Sequence, residues 1–194
     1  VYDYLYRSGE HAGVLFSLGR HANIVDVQNS DPDLVILATG ARTSRPSWLD
    51  IEWMTDDLIP SLREIANKLI NQAGRSVGRV VLVDQDHTEM TYAVAQKLTD
   101  HFEQVTLVTS RERFANDVSL INRQGIHQRL FDRGVELICH AEPTDLEMLE
   151  KGELTLKNVY NENLIKLENI SAVTHASSRI PNNELLQPLI DSGL

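Results

Sequence analysis

The stretch Arg79-Val80-Val81-Leu82-Val83-Asp84-Gln85-Asp86-His87-Thr88-Glu89 decides the fold of this 194-residue chain. Its apolar run shows no polar alternation, which predicts a strand at 79–83 buried on both faces, as in a parallel sheet. Residues 88–102 read as a helix. A strand that passes through a tight turn into a helix is where dinucleotide-binding units carry G-x-G-x-x-G. In that register the three glycine positions hold Asp84, Asp86 and Glu89. Glycine serves there to tighten the turn, to let the backbone approach pyrophosphate, and to pack helix on strand. A carboxylate obstructs that approach and repels the ligand. Each opposes a phosphate charge by about 1 kcal/mol in water at about 4 Å, and by about 4 kcal/mol at an effective dielectric of roughly 20. The stretch therefore predicts a nucleotide-type fold whose phosphate site is lost or altered.

Outward from this point the pattern repeats. Gln104-Val105-Thr106-Leu107-Val108-Thr109 is a second strand, completing a β-α-β unit. A helix carrying Ile121, Ile126, Leu130 and Phe131 ends near Gly134, and a strand is predicted at 135–140. After Glu142-Pro143 the period changes. Residues 153–159 and 163–167 alternate like two antiparallel strands joined at Tyr160-Asn161-Glu162, and 170–176 is a returning apolar strand. A helix broken at Pro188 is predicted over 183–192. Upstream, 1–11 reads as the end of an amphipathic helix, 13–18 as a short strand and 24–30 as a helix or turn. The run 33–40 reads as a continuous apolar strand, and 42–48 as a loop broken by Pro46. Residues 56–72 space Leu58, Ile59, Leu62, Ile65, Leu69 and Ile70 helically, and 74–78 is a polar linker. The order is α/β: a parallel sheet with a small antiparallel meander.

A formal net charge of −10 argues against nucleic acid and anionic membranes as partners. No run approaches the roughly 18 apolar residues of a membrane span. The single cysteine, Cys139, excludes an internal disulfide framework and suits a reducing cytoplasm. The mixed opening Val-Tyr-Asp-Tyr-Leu-Tyr-Arg has no signal-peptide character. It lacks Met and enters mid-helix, which predicts a piece of a longer protein.

The segment from His11 to Gly19, then Asp31-Pro-Asp-Leu-Val-Ile-Leu-Ala-Thr-Gly-Ala41, resembles the flavoprotein reductases with two dinucleotide domains, in which an A-T-G strand links the domains. With the glycine-free turn at 84–89, Ala93-Val-Ala-Gln-Lys-Leu98 and the closing Arg179-Ile-Pro-Asn182, the chain is similar to one branch of that group. That branch is the carboxy-terminal region of the trimethylamine dehydrogenase class of old-yellow-enzyme-like oxidoreductases, which includes demethylases of dimethylglycine and N-methylproline. The resemblance implies a Rossmann-like three-layer parallel sheet of the pyridine nucleotide-disulfide oxidoreductase type. It implies a flavin/ADP-type segment at 1–45, a linker with a helix at 46–78, a nicotinamide-type domain with its meander at 79–176, and a return segment at 177–194. FMN and a 4Fe-4S cluster are expected in a barrel of the parent enzyme outside this chain. The module then scaffolds, holds ADP, or docks an electron acceptor such as an electron-transferring flavoprotein, and is inactive by itself. The alternatives are an active NAD(P)H-binding domain of a dienoyl-CoA-reductase-like enzyme, and a ligand-free interaction module.

Each candidate residue carries two readings. Asp84, Asp86, His87 and Glu89 either bind a metal or cationic group, or cap and complement the helix that follows. Arg111 and Arg113, after the second strand, either meet a 2′-phosphate or form a solvated charged turn. Thr39 and Gly40 either let a cofactor approach closely or end a strand. Arg179 and Asn182 make a cofactor-domain contact or a turn. Ser178 stands where a reductase often has the glycine of a second A-T-G. Cys139 and His140 are adjacent, so on a strand they point to opposite faces and form no catalytic pair. Trp48 and Trp53 are expected to cover an interface. An unpaired edge at 33–38 invites homo-oligomers.

Overall fold

The computed structural model describes residues 1–55, 58–70 and 74–193. It divides into two compact units, Val1–Gly40 with Pro181–Leu194, and Ala41–Ile180. In the first unit α1 spans Tyr2–His11 and α2 spans Ile24–Gln28. Asn23 caps α2 in a capping box with Asp26, each side chain taking a backbone N–H of the other. The apolar segments 13–18 and 33–40 are not strands, contrary to expectation. A strand exists only with a ladder partner, and neither segment pairs with one among the described residues. Their side chains face outward, with Leu15 96%, Leu34 76% and Ile36 81% exposed. The unit closes with α7, Leu186–Asp191. Pro188 does not break it, because it lies in the first turn, where a missing N–H costs no intrahelical bond.

In the second unit β1, Ala41–Thr43, pairs with a late strand β9, Arg179–Pro181, and both lie where the sequence predicts turns or loops. After α3, Ile51–Thr55, comes α4, Leu62–Ile70. Residues 58–61 are not helical, and residues 56–57 and 71–73 of the predicted helix and its end lie outside the described residues. Then follow β2 (Ser76–Asp84), α5 (Glu89–Leu98), β3 (Phe102–Val108), α6 (Leu120–Asp132) and β4 (Glu136–Ile138). The helix predicted to Phe102 ends four residues early, since Phe102 already pairs with Ser76. The meander has three strands, β5 (Ala141–Asp145), β6 (Leu154–Asn158) and β7 (Leu164–Leu167). The first was missed because Pro143 argues against a strand; Pro is confined to edges, and β5 is an edge. β8, Ile170–Ala176, then returns to the main sheet.

The main sheet has order β4-β3-β2-β8 and is parallel throughout. The chain thus leaves β2 in one direction for β3 and β4, and in the other for β8. That reversal at β2/β8 is a topological switch point, where open α/β sheets bind ligands beyond the carboxyl ends of their strands. The alternation of β2 builds two cores. Val80 and Leu82 meet α4, α5 and α6 through Leu62, Tyr92 and Leu130. Val81 and Val83 meet the meander through Leu154, Leu156 and Leu167. Helices, parallel sheet and antiparallel sheet make three layers, and the fold is α/β. Trp48 and Trp53, expected at an interface, pack against the meander-side core.

Candidate functional site

The carboxyl end of β2 is filled by its own side chains. Asp84, the last residue of β2, is fully buried. Its Oδ1 accepts the His87 backbone N–H at 2.9 Å, and its Oδ2 accepts the Tyr92 hydroxyl at 2.6 Å. The Tyr92 oxygen in turn accepts the Ala115 backbone N–H. His87 is also fully buried and adopts φ +54, a left-handed conformation that side chains other than Asn, Asp and His rarely take. Its Nδ1 lies 3.4 Å from the Tyr92 hydroxyl and 3.5 Å from Asp84, and its Nε2 lies 3.3 Å from Thr109 Oγ1. Tyr92 spends its one proton on Asp84, so the neutral imidazole carries its proton on Nδ1 and accepts from Thr109. Burial pushes the Asp84 carboxyl up from the usual carboxylate range, against the pull of His87 and Tyr92. Burial pushes the His87 imidazole down, against Asp84.

Asp86 closes the start of α5. Its Oδ1 accepts the Thr88 N–H at 3.0 Å and the Thr91 hydroxyl at 2.5 Å. The end of a helix that favours anions therefore already has a carboxylate on it. Glu89, in the first turn, accepts the Asn122 side-chain amide at 2.7 Å. Beside the β2/β8 ends lies a cavity of about 10 Å³, lined by Asp86, Met90, His175, Ser177 and Arg179 among others. That is room for about one water. The Asp86 carboxylate at the start of α5 opposes the charge of a pyrophosphate, so these residues do not fit a dinucleotide bound in the Rossmann manner.

The remaining candidates fall in separate places. Arg179, in β9, reaches the same cavity as Asp86 and has Nη2 3.8 Å from Met90 Sδ. Arg111 lies beyond β3. Its backbone N–H donates to Thr109 Oγ1 and its Nη1 pairs with Asp117 at 3.1 Å on the exposed surface. Thr39 and Gly40 belong to the first unit and clasp its return segment. The Thr39 hydroxyl donates to the Asn182 carbonyl, the Asn182 side-chain amide donates to the Thr39 carbonyl at 3.1 Å, and the Asn182 backbone N–H donates to Gly40 at 3.0 Å. Gly40 has φ +72, which glycine adopts without strain. Ser178 bonds Ser44. Cys139 is half-buried on the helix-side core, and burial pushes its thiol up. Among the described residues no cluster of three or more His, Cys, Asp or Glu is arranged to hold a metal ion.

Sequence reading missed Tyr92, Thr109 and His175. Tyr92 and Thr109 looked like ordinary helix and strand positions, and only the packing of α5 on β2 and the parallel pairing of β2 with β3 bring them to Asp84 and His87. His175 sits in β8 two residues before Ser177 and carries no motif. It is 1% exposed, and burial lowers its pKa to about 4.

No known protein-family pattern matches the sequence, and no curated protein matches it. Solved structures do share the fold. A histamine dehydrogenase from Rhizobium sp. 4-9 superposes over 80% of this chain and 24% of its own, at 23% identity and a TM-score of 0.63. A 6-hydroxypseudooxynicotine amine oxidase from Pseudomonas geniculata N1 superposes over 92% of this chain and 26% of its own, at 18% identity and a TM-score of 0.73. The T. acidophilum thioredoxin reductase superposes over 77% of this chain and 45% of its own, at 14% identity and a TM-score of 0.59. The chain spans about a quarter of the two amine enzymes and under half of the reductase. The α/β Rossmann-like architecture is thus one found within oxidoreductases.

Proposed function

We propose that this chain is a nucleotide-binding-type domain of a flavin-dependent oxidoreductase acting on C–N bonds, an amine dehydrogenase or demethylase. In this reading residues 1–45 and 177–194 belong to a flavin/ADP-type domain, 46–78 are a linker, and 79–176 are a nicotinamide-type domain that binds no nicotinamide nucleotide. Electron removal from the amine proceeds on FMN in another part of the parent enzyme, which also carries the 4Fe-4S cluster. The domain scaffolds that enzyme, holds a structural ADP, or docks an electron-transferring flavoprotein in the cytoplasm. The observation that carries the reading is the carboxylate of Asp86, held by Thr88 and Thr91 at the start of α5, where a phosphate would sit. The fold shared with segments of a histamine dehydrogenase and an amine oxidase supports the choice of enzyme class.

A thermal-shift titration with ADP, NADH, NADPH and FAD tests it. A ligand at about 100 times its dissociation constant stabilises by about 2.7 kcal/mol. NADH and NADPH are expected to give no shift. A shift with either overturns the filled-site reading and makes this a working electron-input domain. Amine-dependent dye reduction by this polypeptide alone would sink the assignment of the chemistry to another part of the parent.

A further inference from the structure

The helical face of the second unit carries a groove that no described residue fills. α5 follows β2 and α6 follows β3, and because the strands are parallel the two helices run side by side in one direction. The Asn122 side-chain amide donates to Glu89 at 2.7 Å and ties their first turns together. The groove between them holds about 450 Å³. Glu89 and Ile121 stand toward its start, Ala93 and Gly125 at its middle, and Gln96 and Arg129 toward its far end.

Gly125 is the residue that packing within the chain does not explain. It lies inside the 13-residue α6, where glycine is less favourable than alanine. Outside its own helix backbone and chain neighbours, the heavy atom within 4 Å of its absent Cβ is Arg129 Nη1, at 3.2 Å, the end of a flexible side chain. A glycine there serves the close approach of another backbone. Ile121, one turn earlier on the same face, is 81% exposed.

The charges select the occupant. Glu89 precedes Ala93 by four residues and Arg129 follows Gly125 by four, so the two charged residues stand about 6 Å to either side of the groove's midpoint. At the far end Lys97 and Arg133 are already paired with Asp100, while Arg129 has no ion pair among the described residues. A two-fold axis through the midpoint reverses the helices of a second copy. It sets Glu89 of each copy opposite Arg129 of the other, and lays each Ile121 against the Arg129 stem and Gln96 of the other. A face that is acidic at one end and basic at the other is self-complementary under that operation, as an isologous contact requires. The formal net charge of −10 opposes association, but charges farther apart than about 8 Å are largely screened at physiological ionic strength.

We propose that the α5/α6 groove is the face through which two copies of this chain associate, each pair of helices packing antiparallel on the other about an axis at Ala93 and Gly125. The proposal concerns the second unit alone and holds whatever enzyme class or nucleotide the parent has.

Sedimentation velocity of the full chain over a concentration series tests this, with far-UV circular dichroism to check each variant's fold. A dimer is expected. Glu89→Arg and Arg129→Glu are each expected to raise its dissociation constant about tenfold, since symmetry turns two attractive surface pairs into two repulsive ones. Mixed together, the two variants are expected to form a heterodimer about as tight as the parent dimer, read by native mass spectrometry, because each supplies the charges the other lacks. Gly125→Leu favours the helix and bars the approach, and is expected to leave a folded monomer. A parent chain that stays monomeric overturns the proposal. So does a dimer that these single variants leave unchanged, which places association on another surface such as 33–38, or a mixture of the charge variants no tighter than either alone.

Discussion

At the scale of single residues, Asp84 and Tyr92 show what the buried turn costs and what holds it. Tyr92 gives Asp84 its hydroxyl proton and gives Ala115 N–H an acceptor, all inside the core. Tyr92→Phe deletes both at once and leaves a carboxylate and an amide underprovided. A loss of about 1–3 kcal/mol is expected in urea unfolding, the range for stranding a buried polar partner. Asp84 carries the opposite burden. Its folded pKa lies above the unfolded 3.8 because burial disfavours the anion. An acid shifted that way contributes stability that is full below pH 3.8 and is lost as pH rises through the folded value. Asp84→Asn keeps an acceptor for His87 N–H without the charge. It is expected to flatten that fall, so that the difference in Tm between variant and parent grows in favour of the variant as pH rises above 3.8.

At the scale of elements, β2 shows how one residue sets a register. Gly78 sits at φ +100 in the bulge where β2 slips against β3. A Cβ there would stand 2.2 Å from Ser171 Oγ and 2.8 Å from the Asn169 carbonyl. Ser171 Oγ is held by its bond to the Val77 carbonyl, so it does not simply turn away. Gly78→Ala is expected to cost about 2 kcal/mol from backbone strain alone, more with the clash, and to lower Tm without changing the helix signal in circular dichroism. This glycine looked like linker in sequence, because a bulge has no local signature once its partners are far away in the chain.

At the scale of the molecule, the two units differ in how they are held. The second has two apolar cores on either side of a parallel sheet. Residues 1–40 of the first contain no buried side chain, and α1 and α2 bury none. Backbone with few buried contacts opens at little cost. Limited trypsin digestion of this chain is therefore expected to cut at Arg7 and Arg20 well before any site in 79–176, as read by mass spectrometry of the time course. Early cleavage within 79–176 would contradict this ordering.

The sequence by itself determined the parallel core. Val80 to Val83 is an unbroken apolar run without polar alternation, and β-branched and apolar residues dominate 105–108 and 170–176, which suits strands covered on both faces. It also determined that the turn at Asp84, Asp86 and Glu89 opposes phosphate, since a carboxylate repels an anion wherever the chain puts it. Tertiary structure alone decided that 33–40 is no strand here and that Pro143 lies in one, because a strand is made by its neighbour. It alone decided that Asp84 is locked by Tyr92, that Asp86 is bound to Thr91, and that His175 faces the same crevice as Asp86 from another strand. Those contacts depend on which strands lie side by side, and the order β4-β3-β2-β8 is fixed by packing across the whole unit, not by any stretch that can be read in isolation.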